Sequence, residues 1–147
     1  MNKWDKRFVE QAEFVKGWSK DRRTQVGAVI ANDENTELVM GYNGFPRGAN
    51  DDADERHEHP LKLMWTEHAE RNAIFKAARE GIQLNGGKIY CTYFPCCDCA
   101  RAIVQVGLKK VFAPEPDFSD KTWGKSFQIS YEMLKECGVS VVFTDKI

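Results

Sequence analysis

Two short segments, His68-Ala69-Glu70 and Pro95-Cys96-Cys97-Asp98-Cys99, restrict this chain more than anything else in it. They supply one imidazole, one carboxylate and a pair of thiols at metal-ligand spacing. Cys96 and Cys99 are three apart and share a helix face, whereas Glu70, two after His68, points away from its neighbour. A structural zinc is closed by four protein ligands; a catalytic zinc keeps one position for water. Three donors and a spare carboxylate are the kit for the open kind, with His68, Cys96 and Cys99 as ligands and Glu70 as proton carrier. Pro95 suits a helix start at Cys96. If His68 and Cys96 both sit in first helical turns, two positive helix ends point at the metal and favour the thiolate.

Each segment alone has a blander reading. A His-x-Glu on a helix is usually a solvated face, and a Cys-x-x-Cys serves as a redox pair or as half a zinc knuckle. The redox reading leaves His68 and Glu70 unexplained. A knuckle needs a second Cys/His pair, and only His57 and His59 remain to form one.

The 147 residues have the size of one domain, 1–147, and can bury a core without disulfide staples. Twenty-one basic and 22 acidic residues leave a net charge of −1, which argues weakly against a polymeric nucleic-acid partner, since such a partner usually leaves a basic footprint. Five cysteines, three of them clustered, do not make a disulfide framework; Cys91, Cys97 and Cys137 are expected as small buried residues. Residues 1–10 carry five charges and no apolar run, and nothing downstream is long and apolar enough to span a membrane, so a reducing cytoplasm is expected.

Hydrophobic periodicity predicts a helix over residues 4–19, interrupted at Gly17, then strands over 26–31 and 37–42 joined by a turn at 32–35. A long polar connection, 43–60, follows; at that length a loop is functional or disordered more often than idle. Further helices are expected at 67–80 with Thr66 as N-cap, at 96–106 and at 127–137, each ended by a glycine. Strands are expected at 88–93, 109–113 and 139–143. The order αββαβαβαβ implies parallel crossovers after the first hairpin, with each ligand segment at a strand-to-helix junction.

The chain resembles the cytidine deaminase-like superfamily and, within it, the dCMP (deoxycytidylate) deaminases. Besides the two zinc segments, Ser19-Lys20-Asp21-Arg22-Arg23-Thr24-Gln25-Val26-Gly27-Ala28-Val29-Ile30 and Gly41-Tyr42-Asn43-Gly44-Phe45-Pro46-Arg47-Gly48 resemble that family's S-x-D…VGAVI and G-Y-N-G-x-P segments. The resemblance implies a three-layer α/β/α sandwich around a five-stranded mixed sheet, one zinc per chain, and hydrolytic deamination of dCMP to dUMP that supplies thymidylate synthesis. Some members hold a second, structural zinc with cysteine and histidine outside the catalytic segments. Here the insert offers only His57 and His59, which read as loop residues.

The resemblance further implies that the Ala69 backbone N–H meets the pyrimidine O2, that a carbonyl near Phe94 meets the departing amine, and that Asn43 contacts sugar or base. Asn43 also suits a turn on its own account. Phosphate readers are sought among Lys20, Arg22, Arg23 and Arg47, with Arg22 and Arg47 preferred; Tyr93, Phe94 and Trp123 are candidates to pack on the base, or simply core. A homo-oligomer is expected, built on Ala100, Ile103, Val104 and Val106, with dCTP and dTTP as candidate effectors. The competing substrates for the same chemistry are a free base, a nucleoside, a purine nucleotide or a tRNA adenosine. A noncatalytic zinc module of the same fold is the remaining alternative, against which the intact Glu70 argues.

Overall fold

The structure, a computed structural model, describes residues 1–146. The chain runs α1 (Lys3–Lys16), β1 (Gly27–Ala31), β2 (Glu37–Tyr42), a 3-10 turn (Asp54–His57), α2 (Lys62–Trp65), α3 (Ala69–Glu80), β3 (Lys88–Cys91), α4 (Cys97–Gln105), β4 (Lys110–Ala113), α5 (Gly124–Glu136) and β5 (Ser140–Phe143). The strands form one mixed sheet in the order β2-β1-β3-β4-β5. β1 is antiparallel to both β2 and β3, and β3, β4 and β5 are parallel.

Alternation along the strands assigns each side chain to a layer. Ala28, Ile30, Ile89, Cys91, Val111 and Ala113 pack with α3, α4 and α5. Val29, Ala31, Tyr90 and Phe112 pack on the other side with Phe8 and Ala12 of α1. The expected three-layer sandwich is thus formed by period-two strands between amphipathic helices. α1 starts at a capping box in which Asp5 N–H donates to Asn2 Oδ1 at 2.9 Å and Asn2 N–H donates to Asp5 Oδ2 at 3.0 Å. The Tyr90 hydroxyl donates to the other oxygen of Asp5 at 2.7 Å, so the buried phenol ties this helix start to the sheet.

Several local expectations need correction. α3 is capped by His68, not Thr66, which instead ends the short helix α2. Pro95 precedes the N-cap of α4, and Cys96 is the N-cap itself. α1 stops at Lys16, where Gly17 caps it, and α5 begins at Gly124, three residues before the expected start. The 43–60 connection is held in place. It carries the 3-10 turn, with the Phe45 and His57 rings packed at a tilt, 4.7 Å between centroids, and Arg56 placed 3.8 Å over the Trp65 ring. Three ion pairs join the segment that runs from this connection into α2 to the 19–26 loop: Lys20–Asp51, Arg22–Asp54 and the buried pair Lys62–Asp21. Cys137 is exposed rather than buried, and Cys97 is half-buried. Ala100 and Ile103 are fully buried in the chain's own core, so they offer no surface to a partner; Val104 and Val106 also pack against that core. None of the helices described is long and apolar enough to cross a membrane.

Candidate metal and active site

His68 and Cys96 occupy equivalent places, each the N-cap of a helix and each in extended backbone. α3 returns from the 43–67 excursion and α4 leaves β3, so the two helix starts converge at the carboxyl end of the parallel strands. His68 Nδ1 lies 3.4 Å from Cys96 Sγ and 3.4 Å from Cys99 Sγ. The three donor atoms fall within 4.8 Å of one another and are the group of His/Cys/Asp/Glu donors, among the described residues, that could hold a metal ion.

The donor set fits zinc. Zn–S bonds of about 2.3 Å and Zn–N bonds of about 2.0 Å at a tetrahedral angle put sulfur and nitrogen about 3.5 Å apart, close to the observed spacing. Three protein donors leave a fourth position, the catalytic pattern. The protons among these groups are already shifted. The Cys96 thiol is pushed down to about 4, first by a hydrogen bond from Cys99 and then, against the cost of burial, by His68. His68 is pushed up to about 9, chiefly by its bond to Cys96, and Cys99 is pushed upward by sharing its proton with Cys96. A divalent cation displaces such protons, because it takes thiolate and neutral imidazole.

Glu70 sits one residue inside α3, almost wholly buried at 4 % exposure, and is not part of the donor group. Burial raises its carboxyl pKa, and the Cys99 thiol and the His68 charge partly offset that shift. A carboxyl placed beside a metal group and shielded from bulk water is equipped to pass protons.

The segments around the donors are pinned by backbone pairing. Gly44 and Glu67 form an isolated antiparallel bridge, with N···O distances of 3.1 and 2.8 Å. The Glu67 carboxylate accepts the His68 N–H at 3.1 Å and pairs with Arg71. Asn72 reaches back to the Tyr42 carbonyl at 2.8 Å. Glu67 and Arg71 are four apart in sequence, but Glu67 lies two residues ahead of α3, so the pair spans the helix start.

The other expected site residues separate into groups. Asn43 is buried, and both ends of its amide are spent on the chain: Oδ1 accepts the Val26 N–H and Nδ2 donates to the Thr24 carbonyl, each at 2.8 Å. Its carbonyl also takes the Ser19 hydroxyl at 2.8 Å. Ala69 is buried as the first residue of α3. The ring of Phe94 belongs to the core, against Phe127, Tyr131 and Phe143. Tyr93 is half-exposed, with its edge against Phe127. Trp123 lies at the metal group, its ring edge-on to His68 at 6.4 Å between centroids. Arg22 bonds Asp54 at 2.8 Å, and Arg47 is exposed. His57 donates from Nε2 to the Asp51 carbonyl at 2.6 Å, the arrangement of a loop residue.

Comparison with known proteins agrees with this geometry. The family described as the cytidine and deoxycytidylate deaminase zinc-binding region matches residues 2–114. An uncharacterized deaminase from the luxG 3' region of Aliivibrio fischeri is 45% identical over 145 residues, covering 97% of this chain and 95% of the relative. The deoxycytidylate deaminase of Homo sapiens is 32% identical over 157 residues, covering 98% of this chain and 87% of its own. The crystal structure of the dCMP deaminase of cyanophage S-TIM5 in complex with dCMP and dUMP superposes with a TM-score of 0.79 at 27% identity, covering 98% and 99% of the two chains. With the zinc-binding region matched over most of its length and the donors assembled as that family requires, the chain belongs to the cytidine and deoxycytidylate deaminase family.

Proposed function

We propose that this chain, working as a single zinc-dependent deaminase domain, hydrolyses dCMP to dUMP, consuming one water and releasing one ammonia. The observation that carries the reading is the His68–Cys96–Cys99 group with the buried Glu70 carboxyl beside it. Zinc, when bound, lowers the pKa of a water from about 15.7 toward roughly 7 and so supplies a nucleophile at neutral pH. Glu70 moves the protons: its carboxylate takes one from the water and gives it to the ring nitrogen next to the amine-bearing carbon, then takes the second from the new hydroxyl on that carbon and gives it to the amine, which leaves as ammonia as the hydroxyl becomes the carbonyl. Its burial keeps that exchange between the carboxyl and the reacting atoms. The start of α3 presents the Ala69 N–H at a positive helix end, suited to the pyrimidine O2. Trp123 and the half-exposed Tyr93 are the aromatic side chains available to pack on a base.

The phosphate is the feature that selects a nucleotide. Lys20 and Arg22 are tied to Asp51 and Asp54 through exposed pairs, which a doubly charged phosphate can replace, and Arg47 stands exposed in the G-Y-N-G-x-P segment. The test is ammonia release across cytosine, deoxycytidine, dCMP, CMP and purine monophosphates. A well-made charged contact contributes roughly 1.5–3 kcal/mol, so dCMP should exceed deoxycytidine by about ten- to a hundredfold in kcat/KM. Comparable values for the two refute the nucleotide assignment. Glu70→Ala should abolish ammonia release while zinc is retained; loss of both would mean that Glu70 is structural.

A homo-oligomer in the cytoplasm belongs to the same proposal, with its surface moved from α4. Phe14, Trp18 and Tyr42 form an exposed edge-to-face aromatic cluster, Phe14 being 68% exposed. Apolar rings left in water on one face favour self-association. Sedimentation of Trp18→Ser beside the parent chain checks this; a parent that stays monomeric and fully active at micromolar concentration refutes it.

A further inference from the structure

α5 lies beyond the 2–114 segment that the family match covers, yet its first turn touches both halves of the metal group. The Trp123 ring is edge-on to His68. Three residues on, Ser126 Oγ accepts the backbone N–H of Cys97 at 3.0 Å. Cys97 is the first residue of α4, so its N–H is one of the four that a helix cannot pair internally. An N-cap side chain serves the N–H of the second or third helical residue and not the first, so the Cys97 N–H needs an acceptor from elsewhere. Here the N-cap is Cys96, whose sulfur is a metal donor and makes no capping hydrogen bond. The acceptor therefore comes from a second helix.

That bond falls at the peptide joining Cys96 to Cys97. Cys99 rides on the same first turn, so both sulfurs are referenced to α5 through it. The start of α5 is itself fixed: Asp120 Oδ1 accepts the N–H groups of Thr122 and Trp123 at 2.9 and 2.8 Å, and the Asp120 carbonyl accepts that of Gly124 at 2.9 Å. Trp123 and Ser126 are consequently held at a defined height against α3 and α4.

We propose that Ser126 is a positioning residue for the metal donors: by accepting the Cys97 N–H at the start of α4 it sets the orientation of the Cys96–Cys99 turn and slows the loss of zinc, while Trp123 steadies His68 from the same end of α5. The proposal rests on reading His68, Cys96 and Cys99 as the zinc ligands. Groups that orient ligands from behind typically change metal affinity or activity by about 10–100-fold when removed.

The test compares Ser126→Thr, Ser126→Val and Ser126→Ala with the parent, each loaded with zinc. Thr and Val have the same shape, and only Thr keeps the acceptor. Zinc transfer to a chromogenic chelator should be about tenfold faster in the Val and Ala variants and unchanged in Thr. Melting is then recorded with and without zinc. A positioning role reduces the rise in Tm that zinc confers, whereas a purely structural role lowers both forms equally. Equal zinc release from Thr and Val, or an equal fall in Tm in the two forms, overturns the proposal; if Val does not fold, Ala against Thr carries the comparison. His68→Ala is measured alongside and should hold no stoichiometric zinc. Zinc retained there would refute the ligand reading itself, separately from the role of Ser126.

Discussion

Gly41 offers the sharpest test of how the sheet sets the site. It lies in β2 opposite Ala28, directly beneath the first turns of α3. A Cβ added there would sit 2.5 Å from the Ala69 carbonyl oxygen and 2.6 Å from the Ala73 nitrogen. Both are backbone atoms of one helix, so no side chain can rotate aside. Ordinary contact begins near about 3.5 Å, and Gly41→Ala must therefore drive α3 outward by about 1 Å. Overpacking of this kind costs about 1–3 kcal/mol, or roughly 2–12 °C in Tm for a chain of this size. The helix carries Ala69 and Glu70 with it, and pulls His68 from the sulfurs that now lie 3.4 Å away. A misplacement of about 1 Å can lower turnover by about a hundredfold. Gly27→Ala is the control. Its Cβ meets the Ala12 carbonyl and, at 2.8 Å, the Lys16 nitrogen of α1, on the opposite face of the sheet. Gly27→Ala should destabilise comparably while keeping zinc; Gly41→Ala should lose both stability and zinc occupancy. Thermal melts, metal content and ammonia release read the three effects. A Gly41→Ala protein that melts within a degree of the parent, with full zinc and full activity, refutes the reasoning.

Three other outcomes are expected. Asn43→Ala leaves the Val26 N–H without its acceptor and should cost about 1–3 kcal/mol in urea unfolding; an unchanged midpoint with a raised KM would instead make Asn43 a substrate contact alone. Burial pushes the Asp21 carboxyl up, but the N–H groups of Thr24 and Arg23 and the Lys62 ammonium together hold it below its ordinary 3.8. A depressed folded pKa contributes stability that is present above the unfolded value and lost as pH falls through the folded one. The stability gap between the parent and Asp21→Asn should therefore be full above about pH 5 and shrink on acidification below 3.8; a gap independent of pH counts against the pairing. Cys97→Ser should keep its zinc, since Cys97 lies outside the donor group, while Cys99→Ser should lose it; metal analysis distinguishes them.

The chemistry of the site was legible in the sequence because it is local. His68 with Glu70, and Cys96 with Cys99, are spacings within one helical turn, and alternation within short strands separates the two layers of the core by its period alone. The glycines at 81, 107 and 138 marked helix ends for the same reason. What the spacing could not carry was the partner of each group across the fold. Phe94 stands in a metal-motif segment but turns into the core, because strand register and the packing of α5 decide its side. Asn43 sits in a family segment, yet both its amide ends are used by the 19–26 loop. Ala100 and Ile103 were expected to face a second chain, but the sheet and neighbouring helices cover them. Gly41 carried no visible message until α3 lay across it. The clearest case is the cap of α4. The sequence placed Cys96 at the start of that helix and within the candidate donor group, which leaves an N–H at Cys97 in need of an acceptor. Only the tertiary structure decided that Ser126 would provide it, because a helix encodes its own ends within a turn, whereas which second helix meets those ends depends on how the whole chain packs.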